Sequence, residues 1–358
     1  MSIKKIAAMT GTSPATVSRV LNNPNYKCSV EGLREKIWKT AMELDYTPNE
    51  AARSLKRGSG KASKKKYVID VLVTRMNGAH ADPFFEELLR VVESQIHENA
   101  CILSRVWYQS DFSDDSKVER IKIDRCLKEM IEQVDPVYNG LIIIGRCSKL
   151  VIERLRKFYK NIVSINRNST NYAVDEVLCD GKKIASLAIE HLVRLGHNKI
   201  AYVGKCHGEA RYQGYMEVLR KNSIDFYPEY VIDVDQTEQK GFETMQNFLK
   251  LEEPPTGIYC ANDILAVGMI KCLNQYKKLL YMPSIISSDD IEEGQYTRPM
   301  LSTVRLPKEN MAKFAVYLLL DRMQGGHNEV VRIELEGKLL VRNSCSPVDE
   351  VSQPEYCI

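Results

Sequence analysis

Two signals of membrane insertion or export are missing from this 358-residue sequence. No apolar run approaches the roughly 18 residues that a transmembrane helix needs. The N-terminal segment MSIKKIAAMTGTSPATV is basic but has no apolar core, so it does not have the pattern of a secretory signal. We therefore expect a cytoplasmic protein with no membrane partner.

Paired cysteines and enzyme motifs are missing too. The ten cysteines form no CxxC pair, and only Cys206 and His207 are adjacent, which argues against zinc and disulfides. Neither G-x-G-x-x-G after a strand nor G-x-x-x-x-G-K-[ST] occurs, and no Ser, His and acid set is indicated. The sequence therefore predicts a protein that is not an enzyme and has no catalytic residue, no metal site and no cofactor.

The net charge of +3 conceals an uneven distribution along the chain. Residues 1–66 hold 14 Lys and Arg against 5 Asp and Glu, a balance of +9, and the other 292 residues carry −6. A basic segment of this kind suits the neutralisation of nucleic-acid phosphates. A solubilising tail is the alternative, but the segment is not low in complexity. A transport binding protein would lack such a segment and would need a signal peptide.

Residues 3–44 have the pattern of three short helices. IKKIAAM has apolar residues at helical spacing, and Gly11 marks the turn that follows. Ser13 is suited to cap a second helix that has Pro14 at its first position. A third helix is predicted over about 32–44. This arrangement is typical of a helix-turn-helix domain.

The second helix, PATVSRVLN, carries the candidate DNA contacts. A recognition helix presents its first turns to base edges, where Arg suits guanine and Ala suits the thymine methyl group. The predicted contacts are Ser13, Pro14, Ala15, Thr16, Ser18, Arg19 and Asn22. An ordinary surface helix is the alternative, and the basic charge of residues 1–66 favours DNA.

From Tyr67 onward, short apolar runs alternate with amphipathic stretches, as in YVIDVLV before PFFEELLRVVESQI. Repeated β-then-α units predict parallel sheets covered by helices, and their number suits two α/β subdomains. Ligands in such folds bind at the carboxyl ends of strands. The sequence therefore predicts a ligand cleft between the subdomains.

Seven motifs follow one another in order: SPATVSRVLN, YTPNEAARSLKRG, DPFFEELL, EHLVRLGHNKIAYVG, ANDILAVG, DDIEEGQYTRPMLSTVRLP and LLVRNS. Together they resemble the lactose-repressor/galactose-repressor (LacI/GalR) family of bacterial transcription regulators. The expected fold is an all-α helix-turn-helix headpiece with a hinge helix, followed by an α/β core with two subdomains like those of periplasmic binding proteins. The expected domains are a DNA-binding domain over 1–58 with the hinge helix at about 49–57, a basic linker over 59–66, an effector-binding and dimerisation domain over 67–346, and a tail over 347–358.

The resemblance implies a homodimeric regulator, expected to be a repressor, that reads a two-fold double-stranded operator. A small polar effector, a sugar or a sugar-like molecule, would control its affinity for DNA. Leu55 matches the family's minor-groove wedge, a side chain that opens a base step and kinks the duplex. Arg53 and Lys56 would then contact phosphates. Packing of Leu55 beneath its own helix is the alternative.

The resemblance also implies a set of effector contacts. They are Phe84, Phe85, Arg211, Gln236, Asn262 and Asp289. Such residues suit vicinal hydroxyls and a stacked ring. We expect Arg211 to have the fewest structural roles, because an arginine in the first turn of a helix opposes the helix dipole.

Structural alternatives remain for several of these positions. Phe84 or Phe85 could belong to the core, Asn262 could cap a helix, and one of Asp289 and Asp290 could cap a turn. This chain also departs from the family pattern. It has two serines before the paired aspartates, an unusual KCHGEA loop before Arg211, and a longer linker after the hinge helix.

Overall fold

A computed structural model describes residues 3–22, 30, 32–44, 67–77, 80–113, 120–131, 139–276 and 281–348. The chain divides into two compact units, Met1–Lys65 and Lys66–Ile358. The predicted hinge helix and linker lie outside the described residues, as do residues 349–358. No described helix is long and apolar enough to cross a membrane.

Three helices form the described part of the first unit, as the sequence predicts. They are α1 (Ile3–Thr10), α2 (Pro14–Asn22) and α3 (Leu33–Glu43). Their apolar stripes meet in one small core made of Ile6, Ala7, Val17, Val20, Leu21, Ile37 and Ala41. Gly11 takes a positive φ of 69° in the turn between α1 and α2, a conformation that glycine adopts without strain.

The second unit begins with the elements of a first lobe. They are β1 (Val68–Val73), β2 (Met76–Asn77), β3 (His80–Ala81), α4 (Pro83–Glu98), β4 (Ile102–Tyr108), α5 (Arg120–Ile131), β5 (Asn139–Ile144), α6 (Lys149–Leu155), β6 (Asn161–Asn166) and β7 (Asp175–Leu178). Five of these strands pair in parallel in the order β7-β6-β5-β1-β4 with β4 at the edge. Continuous apolar runs such as LIII in β5 are buried because helices cover both faces of the sheet.

A second lobe follows along the chain. Its elements are α7 (Gly181–Arg194), β8 (Ile200–Gly204), α8 (Ala210–Lys221), β9 (Val231–Asp233), α9 (Glu238–Phe248), β10 (Gly257–Cys260), α10 (Asp263–Asn274), β11 (Ser284–Asp289), α11 (Glu292–Gln295) and β12 (Ser302–Arg305). The remaining elements are α12 (Lys308–Met323), β13 (Arg332–Glu334) and β14 (Lys338–Leu340). The chain returns to the first lobe, where β13 joins β7, and then comes back to place β14 beside β12.

The two sheets confirm the predicted α/β core with two subdomains. Each sheet has six strands, in the orders β13-β7-β6-β5-β1-β4 and β14-β12-β11-β10-β8-β9. Pairing is parallel except between β12 and β14, which run antiparallel. The carboxyl ends of strands from both sheets meet, since Asn262 after β10 donates to Asp82 of the first lobe at 3.1 Å and Arg167 after β6 donates to Asp289 of β11. This junction between the lobes is called the cleft below.

Two glycines allow α9 and α10 to pack backbone against backbone. A Cβ atom on Gly241 would overlap the carbonyl oxygen of Leu265, and one on Gly268 would overlap that of Glu238. Neither overlap can be relieved by rotating a side chain. The glycine at the end of ANDILAVG is therefore explained by helix packing.

Candidate functional site

The described part of the first unit presents α2 as the candidate DNA-reading helix. The Ser13 side chain accepts a hydrogen bond from the Thr16 backbone N–H at 3.1 Å, so Ser13 caps α2 as predicted. Ser13, Pro14, Ala15 and Arg19 are exposed, whereas the opposite face of α2 is buried. The helix therefore offers a polar face with an arginine to a partner.

The other predicted DNA contacts divide into two groups. Thr16 and Ser18 are half-buried, and the Thr16 hydroxyl lies 2.9 Å from that of Ser13. The predicted contacts Asn22, Arg53, Leu55 and Lys56 are not described beyond the helical backbone of Asn22. Their roles stay predictions.

The cleft of the second unit is lined by polar residues that directly follow strands. Arg75 lies just beyond β1, and Arg167 follows β6 in the first lobe. Asn262 follows β10 and Asp289 ends β11 in the second lobe. Because the first-lobe strands and the second-lobe strands both end at this cleft, residues distant in sequence come together there.

Arg211 is fully buried and paired with Glu209, its neighbour at the start of α8. Its Nε donates to Glu209 Oε1 at 2.9 Å, and its Nη1 donates to the Ala261 carbonyl oxygen. Burial alone would raise the pKa of Glu209, but the adjacent guanidinium groups hold it down to about 2. The electrostatic argument for Arg211 from the sequence was wrong, because the Glu209 carboxylate offsets the helix dipole.

Glu209 also caps α8, since its side chain accepts from the Arg211 backbone N–H. It stands in the KCHGEA loop, where the carbonyl of His207 accepts from Arg146 Nη1 at 3.1 Å. Arg75 of the first lobe approaches the same carboxylate, with 3.8 Å between Arg75 Nη2 and Glu209 Oε2. The unusual loop therefore supplies the anion that organises two arginines.

Arg167 connects the two lobes through Asp289. Its Nη2 donates to Asp289 Oδ1, and its guanidinium lies 4.3 Å from the centre of the Phe84 ring and 5.3 Å from that of Phe85. Phe84 and Phe85 pack edge to face with ring centres 5.1 Å apart, and both are buried. The two rings thus belong to the core and at the same time form the surface on which Arg167 stacks.

Asn262 both caps a helix and lies at the cleft, the two roles considered for it from the sequence. Its side-chain oxygen accepts from the Leu265 N–H at 3.2 Å, which caps α10. Its Nδ2 donates to Asp82 Oδ2 across the cleft at 3.1 Å. Asp82 in turn caps α4, accepting from the Phe84 N–H at 3.0 Å. The amide therefore joins the starts of two helices in different lobes.

The paired aspartates at the end of β11 differ in role. Asp290 pairs with Arg305 and Arg342 at 2.6 Å each, and these cations lower its pKa. Asp289 is buried beside Arg167, and burial raises its pKa to about 8. Asp290 thus joins the end of β11 to Arg305 of β12 and to Arg342, whereas Asp289 contacts Arg167 at the cleft. Gln236, also predicted here, is buried at 7 % exposure.

The two serines before the aspartates are buried and satisfied. Ser287 donates to Asp263 Oδ1 at 2.5 Å, and the Ser288 hydroxyl lies 2.8 Å from that of Tyr259. Asp263 also accepts from Thr303 at 2.6 Å. These serines therefore hydrogen-bond to other side chains of the second lobe and hold the part of β11 that precedes the cleft residue Asp289.

Sequence reasoning missed four polar residues of the cleft. They are Arg75, Asp82, Glu209 and Arg167. Their positions after predicted strands or before predicted helices were a usable signal, because polar residues at strand ends of parallel sheets border ligand sites. Among the described residues, no group of three or more His, Cys, Asp and Glu could hold a metal ion.

Asp289→Asn should become steadily more stable relative to the wild-type protein between pH 4 and pH 8. Asp289 ionises near its ordinary pKa of 3.8 when unfolded but near 8 when folded. Folding of the wild-type protein therefore takes up a proton across this pH range. Rising pH lowers the free energy of unfolding of the wild type, whereas the side-chain amide of the variant does not titrate and loses none. Urea unfolding of both proteins across this pH range measures the difference.

Asp290→Asn is the neighbouring control for this titration. Since the folded pKa of Asp290 is already lowered, its stability difference from wild type should stay flat from pH 5 to pH 8. A flat difference for Asp289→Asn as well would show that Arg167 keeps Asp289 ionised throughout.

Comparison with known proteins identifies both parts of the chain. Residues 2–49 match the family model of bacterial regulatory proteins, lacI family, and residues 189–345 match a periplasmic binding protein-like domain. The chain therefore has a LacI-family DNA-binding domain and a periplasmic binding protein-like domain. Similar proteins include the "Probable HTH-type transcriptional repressor ExuR" of Bacillus subtilis (strain 168), 28 % identical over 354 residues, which are 96 % of this chain and 98 % of the relative.

A second similar protein is the HTH-type transcriptional repressor CytR of Escherichia coli (strain K12), 29 % identical over 96 % of each chain. Among solved structures, a complex of the transcriptional regulator CelR with cellobiose has a TM-score of 0.66 at 22 % identity and covers 96 % of this chain and all of that one. The lac repressor dimer bound to operator and an anti-inducer has a TM-score of 0.63 at 22 % identity, covering 96 % of this chain and 98 % of that one. These structures establish the fold, and both named relatives are transcriptional repressors.

Proposed function

We propose that the chain is a sequence-specific DNA-binding transcription repressor whose operator affinity is controlled by a small polar effector, and that it is not an enzyme. The observation that carries the DNA-binding half is the Ser13-capped helix α2, which exposes Ala15 and Arg19. Arginine on such a helix can donate two hydrogen bonds to guanine in the major groove. The basic charge of residues 1–66 supplies the phosphate attraction.

The effector half of the proposal rests on the cleft between the lobes. Arg167 pairs with Asp289 across it, and Asn262 donates to Asp82 across it. A ligand that enters must exchange these contacts for its own, so its binding energy depends on the arrangement of the lobes. Such a difference between states is what couples an effector to a distant function.

The nature of the effector and the assembly are proposed from relatives of the same fold. The CelR structure contains cellobiose, and a LacI-family structure from Enterococcus faecium, 25 % identical with a TM-score of 0.61, contains ribose. We propose a carbohydrate-like effector and, with the lac repressor dimer on its operator as the parallel, a cytoplasmic homodimer on a two-fold operator. Leu55 would then act as the minor-groove wedge, with Arg53 and Lys56 on phosphates.

Selection of bound sites from random duplex DNA with the full-length protein should enrich one two-fold sequence. Binding to that sequence should weaken steeply as salt is raised, because bound phosphates release counterions. Arg19→Ala should reduce discrimination against a substituted base pair by about 1–3 kcal/mol, roughly 5- to 150-fold.

Lys313→Ala is the matched control, because Lys313 is an exposed cation on α12 of the second unit. It should leave both affinity and sequence preference unchanged. Failure to enrich any sequence, or equal losses in the two variants, would contradict sequence-specific binding through α2.

A further inference from the structure

Three guanidinium groups converge on the cleft. Arg211 is fully buried, Arg167 is 5 % exposed, and the Arg75 side chain is 24 % exposed. All three lie close to Glu209, since the positive charge of each lowers the pKa of that carboxyl group. Guanidinium groups do not lose their protons in proteins. The cleft therefore contains three positive charges that cannot be removed by titration.

The carboxylates of the cleft do not accept a hydrogen bond from every one of these arginines. Glu209 accepts from Arg211, and Asp289 accepts from Arg167. The oxygens of Asp82 accept instead from the backbone N–H of Phe84 and from an amide of the second lobe. Two carboxylates thus provide the hydrogen-bonding partners for three guanidinium groups.

Specific atoms in the cleft have no hydrogen-bond partner. Arg211 Nη2 and Arg167 Nε are buried donors without an acceptor, and Glu209 Oε2 is a buried acceptor without a donor. A buried unsatisfied group is costly, more so when it is charged. Two open donors and one open acceptor in a cleft at the strand ends indicate a ligand that brings two acceptors and a donor.

We propose that the effector is a small polyhydroxylated carboxylic acid, whose carboxylate is bound by Arg75, Arg167 and Arg211. The inference rests on the effector cleft of the proposed function. A carboxylate only accepts hydrogen bonds, so its oxygens can satisfy buried guanidinium donors such as Arg167 Nε and Arg211 Nη2. A hydroxyl of the same ligand donates to Glu209 Oε2, the buried acceptor that has no donor.

Matched pairs of ligands test this proposal on the full-length protein without DNA. Isothermal titration calorimetry compares D-glucuronate with D-glucose and D-galacturonate with D-galactose, and adds D-glucose 6-phosphate. At least one uronate should bind about tenfold more tightly than its neutral partner, which corresponds to about 1.4 kcal/mol. It should also bind more tightly than the phosphate ester.

Arg75→Gln is the decisive variant, because the side chain is partly exposed and makes no close hydrogen bond to Glu209. It should weaken uronate binding about tenfold and weaken binding of the neutral sugar clearly less. Arg220→Gln, at an exposed position near the end of α8, is the control and should leave both affinities unchanged.

Equal affinity for acid and neutral sugar, no binding of either uronate, tighter binding of the phosphate ester, or an equal loss for both ligands in Arg75→Gln would each overturn the proposal. Operator selection is a separate readout. A protein that selects an operator but shows no preference for acids loses only this inference. One that binds a uronate but selects no DNA contradicts the proposed function instead.

Discussion

Glu209→Gln is expected to lower the free energy of unfolding of the second unit by about 3–5 kcal/mol, because it leaves a buried guanidinium without its counter-charge. Arg211 is fully buried and its Nε donates to Glu209 at 2.9 Å. Arg75 and Arg167 also lie close enough to affect the Glu209 pKa, so the loss of this anion adds repulsion among three cations. Urea unfolding at neutral pH measures the change.

Two further variants separate the charge effect from simple loss of contacts. Glu217→Gln removes a carboxylate from an exposed pair with Lys182 and should cost less than about 1 kcal/mol. The double variant Glu209→Gln/Arg211→Gln should be less destabilised than the sum of its single substitutions, because it removes both charges together. Additive losses would mean that the pair is not the source of the cost.

Gly268→Ala is expected to destabilise the second lobe by about 3 kcal/mol, at the upper end of the usual cost of overpacking. The added methyl group would overlap the Glu238 carbonyl oxygen and lie 2.9 Å from the Phe242 backbone nitrogen. Backbone atoms cannot rotate away, so α9 and α10 must separate. Since the cleft residue Asn262 caps α10, effector binding should weaken as well.

Gly294→Ala is the control for this substitution. A Cβ atom there would meet the Leu301 Cδ2 atom at 3.2 Å, so one side chain need shift by only a few tenths of an ångström and no backbone atom is overlapped. Thermal unfolding should show a loss of roughly 6–12 °C for Gly268→Ala, at about 2–4 °C for each kcal/mol in a domain of this size, and little change for the control. Similar melting temperatures for both variants would contradict the close packing of α9 and α10.

The helix-turn-helix domain could be predicted in detail because its signals are local. Ser13, Pro14 and Gly11 specify a cap, a helix start and a turn within a few residues of one another, and the structure has all three. The buried stripe of α2, with Val17 and Val20, follows directly from helical periodicity. Met9 is an exception, since it lies at apolar spacing yet is 52 % exposed.

One long helix escaped prediction. α12 (Lys308–Met323) packs against α4 and against strands of the first sheet, so its apolar residues are spread around the helix and do not form one stripe. Periodicity detects a helix by contrast between its faces, and a helix covered on several sides offers little contrast. The antiparallel strand β14 was missed for a similar reason, because three residues are too few to show an alternation.

The sequence by itself determined the class of each domain, the order of most helices and strands and the cap of the reading helix, because these depend on residues within one or two turns of each other. Only the tertiary structure decided what the cleft contains. Arg75, Arg167, Glu209 and Asp289 are separated by dozens of residues, and no local pattern relates them. They meet because both sheets direct their strand ends to one cleft, and burial there determines which carboxylate pairs with which guanidinium and which donors stay open.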